Sequence, residues 1–202
     1  MTTNSQLRTD IVMGKGIERH LASLAELRIQ IFRDYPYLYD GTVDYEMKYL
    51  ARYVECKKSI AVLVKDGDRI VGASTAMPLE VEMDDFKAPF KSSGIDISDV
   101  YYLAESVLLP EYRGRGFGHR FFDFRESHAQ VLRYPITAFC AVERAPDDPR
   151  KPVGYRTLEE FWKERGYRKS PLTTTFKWKE IGEQEESPKK MVFWLKSSYK
   201  DY

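Results

Sequence analysis

The sequence predicts an α/β fold: a single mixed sheet, mostly antiparallel, with a central parallel strand pair and flanking helices. Three observations carry this. The turn Asp66-Gly67-Asp68 separates two apolar, β-branched runs, Ser59 to Lys65 and Arg69 to Met77, and this is strong hairpin chemistry. The apolar run from Leu103 to Leu109 precedes a glycine-rich turn and an amphipathic helix, after which Ile136 to Val142 returns as a parallel neighbour. Thr173 to Lys179 and Lys190 to Lys196 alternate and close the sheet as an antiparallel hairpin through the polar linker Glu180 to Lys189.

The other elements follow in order. Leu7 to Val12 reads as a short first strand closed by Gly14 and Gly16. Ile17, Leu21, Leu24, Ala25 and Ile31 share one helical face, ending at a tyrosine-rich loop. Thr42 is the expected N-cap of a second helix, in which Val43, Met47, Leu50 and Val54 are expected to face the core. Pro78 to Asp99 reads as an irregular acidic excursion anchored by Met83, Phe86, Pro89 and Phe90. Arg144 to Arg156 holds three prolines and a glycine and must be loop. Thr157 and Glu160 form a capping box for a helix ending at Gly166.

Composition bounds the function. At 202 residues and 43% hydrophobic, residues 1–202 fit one domain with a substantial core. Lys and Arg number 32 against 31 Asp and Glu, so no global field recruits nucleic acid or an anionic membrane. Two cysteines and three scattered histidines give no zinc spacing and suit a reducing cytoplasm. The opening MTTNSQLRTD has no basic start followed by an apolar core, and no long apolar run appears elsewhere.

The stretch after Leu109 carries the chemistry. Pro110 ends the strand because it has no N–H for a ladder, and Gly114, Gly116 and Gly118 then alternate with Arg115 and Phe117. The amides there lie just before a helix whose first turn has unpaired N–H groups, with Arg113 and Arg115 beside them. This is an anion cradle. A Walker A loop is excluded because His119 follows Gly118, and the dinucleotide fingerprint fails because His119 stands where its third glycine should be. A purely structural turn is the remaining alternative. Phe117, Phe121, Phe124 and Leu132 supply the helix face that packs on the sheet.

Arg113-Gly114-Arg115-Gly116-Phe117-Gly118 resembles motif A of the GNAT superfamily of acyl-CoA-dependent N-acetyltransferases, Gln/Arg-x-x-Gly-x-Gly/Ala, and the order of elements is similar through almost the whole chain. In detail it is similar to a group of small bacterial members of unassigned acceptor. The resemblance implies that the turn binds the diphosphate of coenzyme A and that the strand before it splays to accept the pantetheine arm. Val107, Leu108, Leu109, Arg113, Gly114, Arg115, Gly116, Phe117, Gly118, His119 and Trp162 are then the cofactor-binding candidates, acetyl-CoA is the co-substrate and no metal is expected.

An amine acceptor is mostly protonated at neutral pH and needs a base. Glu105, a carboxylate in the middle of the central apolar strand, is the first candidate; its alternative is a structural ion pair with a helix arginine. Glu143, at the end of the next strand, is the second, against a solvated strand end. The Leu108 N–H is the candidate oxyanion donor, a contribution worth about 3 kcal/mol at other acyl-transfer sites. Direct attack needs no nucleophilic cysteine, and Cys140 is expected in the core. Many GNAT members carry a tyrosine acid where this chain has Trp162, whose indole is no practical proton source. Either Tyr155 or a water replaces it, or the thiolate, a weak base, leaves unprotonated. The expected partner is an amine-bearing small molecule, peptide or protein, placed by the resemblance against the first two helices, where Tyr35, Tyr37 and Tyr39 with Arg33, Asp34 and Asp40 are pocket candidates; a homodimer is left open. A non-catalytic acyl-CoA sensor is the rival function.

Overall fold

The computed structural model describes residues 7–198; the segment Met1–Gln6, part of the opening stretch considered for targeting signals, lies outside them. Eight strands form one sheet: β1 (Leu7–Met13), β2 (Ile60–Asp66), β3 (Arg69–Pro78), β4 (Val100–Tyr102), β5 (Ser106–Leu108), β6 (Ile136–Val142), β7 (Arg168–Trp178) and β8 (Ser187–Ser197). Their order is β1-β2-β3-β4-β6-β8-β7, with β5 also paired to β3. All pairings are antiparallel except β4 with β6.

The run expected as one strand from Leu103 to Leu109 holds only β5; β4 ends before it at Tyr102, and residues 103–105 belong to neither strand. β4 pairs with β3 through Met77 and Pro78 and runs parallel to β6 from Val100 opposite Ile136 to Tyr102 opposite Ala138. β5 keeps to β3, with Ser106 opposite Ser74 and Leu108 opposite Gly72, while β6 continues alongside β8 to Val142. The parallel pair therefore parts after Leu103, whose N–H still reaches the Ala138 carbonyl at 2.7 Å.

Helices cover both faces. Glu105 faces α1 (Leu21–Phe32), whereas Ser106 is bonded to Arg125 of α4 (Phe117–Val131). Successive strand residues point to opposite faces, so α1 and α4 lie on opposite sides of the sheet. α5 (Glu159–Glu164) joins α4, with Phe161 against Phe122 and Trp162 against Phe139. Phe117, Phe121, Phe122 and Ala129 of α4 are buried, with Phe124 and Leu132 half-buried.

Three local expectations need correction. In α2 (Val43–Glu55), Thr42 does accept a bond from Tyr45 N, but Val43 and Met47 are 40% and 36% exposed. Leu50 is buried and Val54 packs half-buried against the core as expected, but the fully buried neighbours of Leu50 are Glu46 and Tyr53, a polar and an aromatic residue that the aliphatic pattern passes over. The excursion after Pro78 contains α3 (Asp84–Ser93), despite Pro89 inside it. A mid-helix proline frees the carbonyl four residues back. Here that carbonyl, of Asp85, accepts from Thr174 Oγ1 at 2.7 Å. Phe86 and Phe90 are buried against Tyr102 and Phe193, so α3 is packed onto the sheet. The capping box does not form: α5 begins at Glu159 with no side-chain cap, and Glu160 accepts from Lys163 instead.

Candidate active site

The turn after β5 is open. Gly114 and Gly116 have φ of +74° and +80°, and a Cβ built on either would meet nothing within 4 Å. Gly116 caps α4 in the left-handed region without a side-chain bond, so the first amides of that helix are left without a side-chain cap. Arg113 and Arg115 are exposed beside them. Arg113 Nε donates to the Leu108 carbonyl at 3.2 Å, and Arg115 Nη2 to the Glu111 carbonyl at 3.1 Å. Tyr112 anchors the loop to the β2–β3 hairpin through a 2.6 Å bond to Asp66. Open amides at a helix N-terminus flanked by two guanidinium groups fit a diphosphate.

Backbone polarity extends the site along the split. Leu109 N–H donates to the Val71 carbonyl, so Leu108, one residue back, sits in the alternate position where N–H and C=O turn away from β3. They turn toward the side on which β6 has departed. Val107 and Leu109 are buried, and their side chains belong to the core.

The split is held by a residue that the sequence reasoning missed. Arg125 is 1% exposed and donates Nη1 to the carbonyls of both Thr75 (3.1 Å) and Glu105 (3.0 Å), Nε to Phe121 O (3.0 Å) and Nη2 to Ser106 Oγ (2.7 Å). Burial brings its pKa down to about 10, which leaves it charged at neutral pH. The guanidinium adds a second bond to two carbonyls that also take a backbone N–H, Thr75 O from Ala104 and Glu105 O from Thr75, where the chain passes from β4 to β5. A charged residue in register with Phe121 and Ala129 was the available signal.

Beside the interruption lies a cavity of about 490 Å³ lined by α1, α2, β7 and the β4–β5 junction. Glu105 is 7% exposed and its Oε2 lies 2.6 Å from Arg28 Nη1; Arg28 Nε also donates to Glu46. The helix arginine foreseen as the alternative partner of Glu105 is thus present, on α1, and it is shared by two carboxylates. Burial alone would lower the pKa of Arg28, but Glu105 and Glu46 hold it well above the ordinary value. Arg28 and Glu46 were also missed; each occupies a core register of its helix, at spacings of four from Leu24 and Leu50. Of the six loop residues expected in a pocket, Tyr37, Tyr39 and Asp40 line the cavity.

The other candidates are placed elsewhere. Glu143 accepts bonds from Lys190 (2.7 Å) and Lys169 (3.1 Å), which hold its carboxyl below the usual range, as befits a solvated strand end. Tyr155 packs edge-on against Tyr35 at 4.8 Å, outside the cavity lining, with burial raising its hydroxyl. Trp162 is wedged between Phe139 (4.9 Å) and Trp194 (5.2 Å). Buried Phe117 anchors the start of α4, Gly118 lies against Phe161, and His119 meets Phe161 and Arg165. Among the described residues, no group of three or more His, Cys, Asp or Glu could hold a metal ion, and no helix is long and apolar enough to cross a membrane.

Cys140 lines the cavity, but its thiol contacts Tyr102 OH at 3.0 Å and burial pushes its pKa up to about 12. A thiol so placed is a poor nucleophile. Cys140→Ala is therefore expected to keep turnover within about tenfold of the parent, whereas loss of a covalent nucleophile costs orders of magnitude; steady-state kinetics decide.

No protein-family model matches the sequence, and no curated protein is similar to it in sequence. Solved structures are. A ribosomal-protein-alanine N-acetyltransferase from Brucella melitensis superposes with a TM-score of 0.60 at 11% identity, covering 93% of this chain and 99% of its own. A Salmonella typhimurium protein described as an acetyltransferase, solved with its cofactor acetyl-CoA, gives 0.56 at 9% identity over 96% and 95% of the two chains. A Desulfovibrio desulfuricans protein assigned to the GNAT acetyltransferases gives 0.54 at 8% identity over 95% and 99%. Agreement with these structures over more than nine-tenths of the chain gives this protein the GNAT fold.

Proposed function

We propose that the chain is a single-domain, acyl-CoA-dependent N-acetyltransferase that moves an acetyl group from acetyl-CoA to a primary amine by direct attack. The observation that carries this is the parting of β5 from β6 between an open amide turn and a cavity containing a buried carboxylate. The amides from Gly114 to His119, with Arg113 and Arg115, hold the diphosphate. Bound acetyl-CoA supplies a thioester already activated for acyl transfer. Leu108 N–H turns from β3 toward the split and is the donor offered to a carbonyl oxygen there. Glu105 takes the proton from the incoming ammonium, and Arg28 keeps its carboxylate in place. With Trp162 engaged in ring packing, reprotonation of the thiolate falls to water. The free cysteines Cys56 and Cys140 suit a reducing cytoplasm.

Thiol release from acetyl-CoA across a panel of primary amines tests this. Turnover with at least one amine is expected, together with saturable acetyl-CoA binding. Trp162 in place of the usual tyrosine favours a second reading, an acyl-CoA sensor, and binding without turnover on any amine would select it.

A further inference from the structure

We propose that the cavity takes a small monocationic amine with an apolar, ring-bearing body, an arylalkylamine, its ammonium set against Glu46 and Glu105. This rests on the cavity being the acceptor site. Charge selects the head of the ligand. One guanidinium, Arg28, serves two carboxylates, which leaves one net negative charge on the floor. Glu46 is 1% exposed and Glu105 7%, so water screens that charge poorly and a single countercharge is favoured there. A ligand carboxylate would meet the same field with the wrong sign.

Rings select the body. Tyr37, Tyr39, Tyr49, Phe86, Tyr102 and Trp178 all line the cavity. The polar ends of four of these are engaged within the protein: Trp178 Nε1 donates to the Tyr37 carbonyl at 3.0 Å, Tyr102 OH contacts Cys140 Sγ, Tyr39 bonds Glu46 and Tyr49 bonds Tyr53. Those walls offer ring faces, and a polyhydroxylated amine would lose its hydration there without replacement. The same walls already accept a cation, since the Arg28 guanidinium lies 4.6 Å from the Tyr49 ring centroid and 5.0 Å from that of Phe32. At about 490 Å³ the space suits a small molecule.

Titration calorimetry on the full chain without acetyl-CoA tests this, using phenethylamine, its anionic counterpart hydrocinnamate, zwitterionic phenylalanine and the ring-free polycation spermidine. Phenethylamine is expected to bind at least about tenfold more tightly than the other three, and Glu46→Gln to weaken it by about tenfold. Hydrocinnamate or spermidine binding as well as phenethylamine, or no binding by phenethylamine, overturns the proposal. If Glu46→Gln fails to fold, the wild-type series decides alone. Amine binding is read here without acyl transfer, so a protein that binds phenethylamine yet transfers nothing contradicts the proposed function and leaves this inference standing.

Discussion

Glu105→Gln is expected to leave acetyl-CoA binding intact and to lower turnover by about 10²–10⁴-fold, the usual worth of a positioned general base. The substitution preserves shape and removes only the ability to take a proton. Arg28 retains Glu46 as its charged partner, so the buried guanidinium is not stranded. The diphosphate turn is built from Arg113 to His119 and owes nothing to the Glu105 side chain. Calorimetry with acetyl-CoA and thiol release with a productive amine separate the two effects. Turnover within threefold or so of the parent would move the base elsewhere, to a water or to Glu46.

Arg125→Met is expected to destabilise the protein by about 3–5 kcal/mol and to weaken acyl-CoA binding with it. Methionine restores much of the volume and none of the donors. The carbonyls of Thr75 and Glu105 each accept a backbone N–H, from Ala104 and Thr75 respectively, and a second bond from Arg125 Nη1. Each hydrogen bond to a charged group is worth about 1.5–3 kcal/mol, and the bond from Nη2 to Ser106 Oγ is lost as well. Urea unfolding reads the stability. A change below about 1 kcal/mol would mean that the split is maintained by packing alone.

Local chemistry was legible from the sequence where the chain itself dictates the backbone. Asp66-Gly67-Asp68 fixes the β2–β3 hairpin, Pro110 ends β5, and Gly116 is needed because the residue capping α4 has φ of +80°. The parallel pair and the closing β7–β8 hairpin were also expected, but not that β8 would be the strand inserted beside β6. α3 was not legible, since Pro89 forbids a helix unless something takes the carbonyl it frees, and the group that does so, Thr174, is remote in sequence. The strand break was hidden for a similar reason: its stabilising group sits on α4. The cavity floor escaped because Arg28 and Glu46 look like ordinary polar residues until two helices bring them onto Glu105. Glu105 itself stood out because its own neighbours, Leu103 to Leu109, are almost all apolar.

The central claim is that main-chain amides after Pro110 hold the diphosphate of the acyl carrier. Comparing coenzyme A, dephospho-coenzyme A and pantetheine by titration calorimetry tests it; pantetheine lacks the diphosphate together with the adenosine, so ADP is set against adenosine to separate the two. Coenzyme A and its dephospho form are expected to bind with similar affinity, and pantetheine at least about a hundredfold more weakly. Pantetheine binding as tightly as coenzyme A would contradict the account.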